Sequence, residues 1–330
     1  MRIAKAVIMA GSADHQQSWP TVAAGPRELF PVANRPILFH QLEHLRLGGL
    51  LEATILVDRH NADPIRRAVG DGSHWNLTVR YDDCPDTAAL ADALATCRGF
   101  IGDEPVLVQQ ADALLRGRLH THLAAFSDDR LDALALSFTG TGDMPAPELP
   151  SGYMLSRRAQ SVLVDGGHAV ANPINEVRAS GGRVRIEAVD GCLPCHGDLD
   201  GLLDCNRRLL ADLEAGPPPA DMEDSQLQGA VAIHPSAVVR RTTVRGPVVI
   251  GPDVRLTDAY VGPYTSIGAG VEIQGAEIEH SIVLPGAELA FVGTRIESSV
   301  IGAGARVARV FMRPSSLRIA LGDGAEILLS

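Results

Sequence analysis

Cys192-Leu-Pro-Cys195-His196 is a compact run of thiols and imidazole. A CxxCH run is the attachment pattern for a c-type haem, and two thiolates with one imidazole make three of the four ligands that zinc takes. The haem reading needs an exported protein, which is not expected here, and the zinc reading lacks a fourth ligand, because no second CxxC and no distant His pair is present. The five cysteines, Cys84, Cys97, Cys192, Cys195 and Cys205, are odd in number, so no disulfide framework is expected and buried or idle thiols are the simplest reading. His40 and His44 stand at i and i+4 and could share a metal, but they fall on a helical run and read as structural. No GxSxG, HExxH or P-loop is present.

The elements that must carry any site are clearer. Ile3–Ala10 reads as a buried strand, although Arg2 and Lys5 before Ala6–Ala10 mimic a signal peptide; the apolar stretch is too short for one. Helix 37–47, strand 53–57, helix 64–69, strand 77–81, helix 88–97, strand 106–110, helix 119–126 and strand 133–138 follow. This strand–helix alternation predicts a Rossmann-like layered α/β sheet with ligands at the carboxyl ends of its strands. Gly216-Pro217-Pro218-Pro219 cannot continue the helix before it and marks a linker. Beyond it, aliphatic residues recur at steps of five or six, from Ile233, Val239 and Val244 to Ile296, Ile301 and Val307, often followed by Gly. Such a period is that of hexapeptide-repeat, parallel β-helix coils. The predicted division is therefore 1–215, a nucleotide-fold α/β domain; 216–228, a Pro-rich acidic linker; and 229–330, the β-helix.

Charge narrows the partners. With 29 basic and 40 acidic residues the net charge is −11, which argues against nucleic acid or an anionic membrane. The deficit lies before residue 229, since 229–330 holds nine of each sign. Lys5 is the sole lysine. No run approaches the roughly 20 apolar residues of a membrane span, so a cytoplasmic protein is expected.

Lys5-Ala-Val-Ile-Met-Ala-Gly11 and Pro26-Arg27-Glu-Leu-Phe-Pro31-Val-Ala-Asn-Arg-Pro36 resemble the opening of sugar-1-phosphate nucleotidylyltransferases. Val69–Ser73, Val106–Asp112, Gly152–Leu155 and Val189–Gly191 follow in that family's order. The long glucose-1-phosphate thymidylyltransferase type, which ends in a β-helix, is the nearest kind, and the resemblance implies a left-handed helix. It further implies attack of a sugar phosphate on the α-phosphorus of a nucleoside triphosphate, with phosphates gripped by a Gly-rich loop and cations and Mg²⁺ held by carboxylates.

Several of those requirements are altered here. The loop reads Gly11-Ser12-Ala13-Asp14-His15-Gln16, with one glycine kept, an acid beside the phosphates and Gln16 in place of Arg. Arg27 stands for a lysine, and a second Lys segment is missing between Phe138 and Gly152. In the base pocket, Cys84 and Ala89 replace Gln and Gly. Asp112 keeps one metal carboxylate, whereas Cys195 occupies the place of the other, and a thiol suits Mg²⁺ poorly. A softer metal on Asp112, Cys195 and His196 is the remaining metal option; no cofactor is assigned, and Mg²⁺ is expected only if the chain is active. Gly152, Tyr153 and Asn175 could still face a sugar phosphate, a nucleotide or another small polar ligand.

The leading expectation is a member with degenerate catalytic motifs, acting as a ligand-binding or assembly subunit, or with altered chemistry, in sugar or secondary metabolism. It would form a homo-oligomer or pair with an active paralogue. The alternatives are an active thymidylyl- or uridylyltransferase and a hexapeptide-type acyltransferase with His280, or less aptly His234, as its base.

Overall fold

The computed structural model describes residues 3–10, 25–84, 89–115, 117–138, 150–166, 172–192 and 199–309. Strand β1 (Lys5–Met9) is apolar on both faces. Ala6 and Ile8 pack with helix α1 (Ile37–Leu47) through its Leu38, Leu42 and Leu45, whereas Val7 and Met9 enter the opposite layer. A strand of this kind is stable only with both faces covered, which is the layered arrangement expected from the sequence. After α1 come β2 (Glu52–Val57), α2 (Ala62–Val69), β3 (Thr78–Asp83), α3 (Leu90–Thr96), β4 (Val106–Gln110), α4 (Leu119–Asp128) and β5 (Ala133–Phe138). Then follow β6 (Gly152–Leu155), α5 (Arg157–Asp165), α6 (Pro173–Ala179), β7 (Val184–Val189) and α7 (Leu199–Ala211).

The sheet order is β7-β5-β6-β4-β1-β2-β3, parallel throughout except for β6. Met9 ends β1 beside Leu56 of β2 and Gln110 of β4, so three strand tips open at one place.

The second domain is a left-handed parallel β-helix of three stacked sheets. Val239, Leu256, Ile273 and Leu289 stand above one another inside it. Val238 pairs with Arg255 and Thr243 with Tyr260, a coil of 17 residues. One coil runs shorter, Ser266 to Ile282, and one longer, Ile278 to Ile296. Strict hexads would need 18, so the five-residue steps in the sequence are real short sides. The first coil also begins earlier than 229: Asp221–Glu223 and Gln226–Gln228, placed in the linker on composition, pair with Val238–Arg240 and Thr243–Arg245. The acidic side chains of 221–224 hid them, because outward positions of a coil carry no apolar signal.

One face of the β-helix docks on the first domain. Ile282 and Leu284 join Phe30, Val32, Leu114, Leu202 and Leu203 in a shared apolar cluster. Asn206 of α7 accepts from the Ala33 amide (2.9 Å) and donates to the Tyr264 carbonyl (2.9 Å), while Asn34 Nδ2 donates to the Ile267 carbonyl at 2.6 Å. The tight hairpin after Arg27 is thus held by the β-helix. Among the described residues no helix is long and apolar enough to cross a membrane.

Candidate functional site at the strand tips

Three chain reversals converge where β1, β2 and β4 end. After β4, the Ala111 amide donates to the Met9 carbonyl (2.9 Å) and the Ala113 amide to the Gln110 carbonyl (3.1 Å), a turn that sets Asp112 at the tip. Gln41 of α1 clamps this turn from below, its Nε2 donating to the carbonyls of Gln110 and Ala113. After β2, Asp58 Oδ1 accepts the amides of His60 (2.7 Å) and Asn61 (3.0 Å) and so starts α2. Asn61 in turn donates to the Ala10 carbonyl at the end of β1.

A single helical turn, Arg27–Leu29, brings the third group. Arg27 Nη2 lies 3.2 Å from Asp112 Oδ2, with the two side chains 12% and 4% exposed. Glu28 beside it is 3% exposed, and burial lifts its carboxyl to about 7, opposed by Arg27 and helped by the charges of Asp112 and Asp58. One cation therefore stands among three carboxyl groups. Arg27 Nη1, Asp112 Oδ2 and Gln41 Oε1 are buried without a hydrogen bond. Buried polar atoms of that kind are uncommon in folded proteins, and three of the six among the described residues lie at this strand-tip turn, the others being on Trp75, Ser266 and His280.

Mg²⁺ is the cofactor implied by the resemblance, and of the two positions expected to hold it only Asp112 falls within the described residues. Asp112, the carboxylate that would hold it, already faces a guanidinium, and among the described residues no three His, Cys, Asp or Glu side chains group to hold a metal. Cys195 and His196, and with them the softer-metal option, lie outside the described residues, as do Gly11 and Gln16 of the loop.

Ala89 is the exposed N-cap of α3, its amide donating to Asp92 Oδ2 at 3.1 Å. At Gly152, which pairs with Gln109 at the end of β4, a Cβ would come within 3.1 Å of Gln109 Cγ and Val108 O, so its small size is a packing need. Tyr153 points into the opposite core layer, where burial pushes its hydroxyl up to about 12. Asn175 is exposed on α6 and accepts from Arg178 at 3.1 Å. Neither joins the strand-tip cluster. His40 and His44 donate to the carbonyls of Val32 and Gly117, both at 3.0 Å, and burial lowers the pKa of each, which fits their structural reading. His280 faces Ser298 Oγ through Nδ1 (3.2 Å), and its Nε2 is buried without a partner, so neither nitrogen is open as a base for acyl transfer. Idle thiols hold for Cys84 and Cys97, both buried and free, but not for Cys205, which is disulfide-bonded; an odd count excludes a fully paired set, not one bond.

Glu28, Gln41 and Asp58 are participants that sequence reasoning missed. Their signals were modest: an acid directly before the apolar pair Leu29-Phe30, a polar residue on the buried stripe of Leu38, Leu42 and Leu45, and an Asp three residues before Asn61.

A parallel sheet with its polar cluster at the strand tips, joined to a β-helix, places any ligand site of the first domain at the carboxyl ends of its strands. The family model for nucleotidyl transferase matches residues 5–156. A glucose-1-phosphate thymidylyltransferase of Streptomyces griseus is 30% identical over 87% of this chain and 89% of its own length. One from Streptomyces antibioticus is 26% identical over 98% and 99%. A crystal structure bearing the same enzyme name, from Bacillus anthracis, shares the fold with a TM-score of 0.54 at 16% identity, covering 64% of this chain and 97% of its own. The chain belongs to the sugar-1-phosphate nucleotidyltransferase family.

Proposed function

We propose that this family member has given up Mg²⁺-dependent nucleotidyl transfer and works as a ligand-binding or assembly subunit. The observation that carries the reading is the buried Arg27–Asp112 pair: the retained metal carboxylate and the cation meant for phosphate are spent on each other at 3.2 Å. Sequence departures support it. Asp14 and Gln16 in the loop and Cys195 at the second metal position each remove a feature that a triphosphate and its ion require. Arg27 Nη1 and Gln41 Oε1, buried without a partner beside that pair, suit a small polar ligand, a sugar phosphate or a nucleotide, bound without turnover. A homo-oligomer or a pairing with an active paralogue is the proposed assembly, and the cytoplasm the proposed location.

A second reading, an active thymidylyl- or uridylyltransferase, is favoured by the Streptomyces griseus relative that aligns over 87% of the chain. One assay separates them. Purified chain with Mg²⁺, glucose 1-phosphate and dTTP or UTP is expected to release no pyrophosphate above the no-enzyme rate. Release that depends on Mg²⁺ and disappears in Asp112→Asn would establish the second reading.

A further inference from the structure

The turn that carries Arg27 and Glu28 has another side. Between the segment Gly25–Pro31, helix α2 and the β-helix lies a groove of about 690 Å³, within the usual size of small-molecule sites. Pro26, Leu29 and Phe30 face it, whereas Arg27 and Glu28 take no part in its walls and are spent on the strand tips.

Its chemistry is restrictive. Four wall residues, Pro26, Pro31, Pro64 and Pro285, have no backbone N–H to offer. Leu29, Phe30 and Leu284 add only hydrocarbon. A sugar or other polyhydroxylated ligand would surrender hydrogen bonds to water here with few regained, which costs roughly 1–3 kcal/mol for each unmet group. Among the described residues the one charged wall residue is Arg67. Its Nε donates to the Asp63 carbonyl of its own helix at 3.2 Å, and among the described residues no carboxylate pairs with it. Arg66 beside it differs, pairing with Asp83 at 2.9 Å. A free guanidinium at the wall of an apolar groove complements one negative group on an apolar body.

We infer that this interdomain groove is a second ligand site, distinct from the strand-tip cleft, for a small molecule with a ring-sized apolar body and a single anionic group that pairs with Arg67. The shape comes from both domains, so the site exists only in the docked, full-length chain.

The test uses 8-anilinonaphthalene-1-sulfonate, two apolar ring units with one sulfonate, titrated into the full chain by fluorescence and calorimetry. Saturable binding of one probe per chain is expected. Arg67→Gln should weaken it roughly fivefold, about what one partly exposed charge pair supplies. The uncharged N-phenyl-1-naphthylamine should bind the parent and Arg67→Gln alike. Ala303→Trp, at an exposed wall position, should abolish binding of both probes while leaving a cooperative melt. Binding that does not saturate, or that is indifferent to Arg67→Gln and Ala303→Trp in chains that still melt cooperatively, would overturn the inference. Neither result bears on whether pyrophosphate is released at the strand tips.

Discussion

Arginine–carboxylate pairs occur in both halves of the molecule, under opposite conditions. At the strand tips, Arg27 and Asp112 meet at 12% and 4% exposure, with buried atoms left unmatched. On the β-helix, Arg241 and Asp258 meet at 2.6 and 2.8 Å through two hydrogen bonds, yet stand 52% and 50% exposed. The latter pair is separated by 17 residues, one coil, and Arg255–Glu272 repeats that spacing. Arg295–Glu277 and Arg306–Glu288 keep it through the longer coil at 18. Exposed pairs follow from the repeat: any two outward residues one coil apart are neighbours, and opposite signs there avoid repulsion. The buried pair follows from no repeat. It assembles residues 85 positions apart, against a desolvation cost, where the family would bind its ligand.

The comparison breaks first at Arg27. Arg27→Met removes the cation and leaves Asp112 buried with its charge uncompensated, so a loss of about 3–5 kcal/mol is expected in urea unfolding at pH 7.5. The double variant Arg27→Met/Asp112→Leu should recover most of it, since an apolar pair in the same place has no charge to desolvate. A loss below about 1 kcal/mol in the single variant would place Arg27 in the same class as the surface ladder.

How much of this was legible in the sequence follows the same division. The β-helix announces itself because Val239, Leu256 and Ile273 must each fill an equivalent place, and a repeated constraint leaves a repeated residue type. Even there the coil starting at Asp221 was missed, since its outward Asp and Glu look like a linker. In the α/β domain five of the seven strands and α1 were readable from apolar runs, with Ile37–Leu47 and Ala133–Phe138 found at the expected bounds, whereas β6 and β7 were not placed. Arg27 and Asp112 were readable through the family resemblance, and the structure joins them. The burial of Tyr153 and the exposure of Asn175 were not legible, because neighbourhood in a motif does not say to which face of a strand, or which side of a helix, a residue turns. Glu28 was hidden for a different reason: its property is created by burial, and burial of a lone acid has no periodic signature.

Glu28 also yields the next expected effect. Its carboxyl titrates near 4.5 when unfolded and at about 7 when folded, so the folded chain binds the extra proton between those values. Stability is then full below about 4.5, falls as pH rises toward 7 and levels above it, by about 3 kcal/mol in total. Glu28→Gln should therefore be more stable than the parent at pH 8 by an amount of that order, with the gap closing by pH 5. Melting curves at the two pH values measure it. A gap that widens toward acid would mean that Arg27, not burial, governs this carboxyl.

The smallest effect is expected on the ladder, where geometry is best. Arg241→Gln deletes a two-bond ion pair with Asp258, and each partner is raised or lowered in pKa chiefly by that hydrogen bonding. Both groups are half exposed, so water and salt replace what is lost, and the long arginine regains its freedom. Neither the melting midpoint nor its salt dependence should change measurably. The coil itself is held by its inward stack, Leu256 under Ile273, which the substitution does not touch. If Arg241→Gln instead destabilised the chain as much as Arg27→Met, short distance rather than burial would set the worth of a charge pair in this protein.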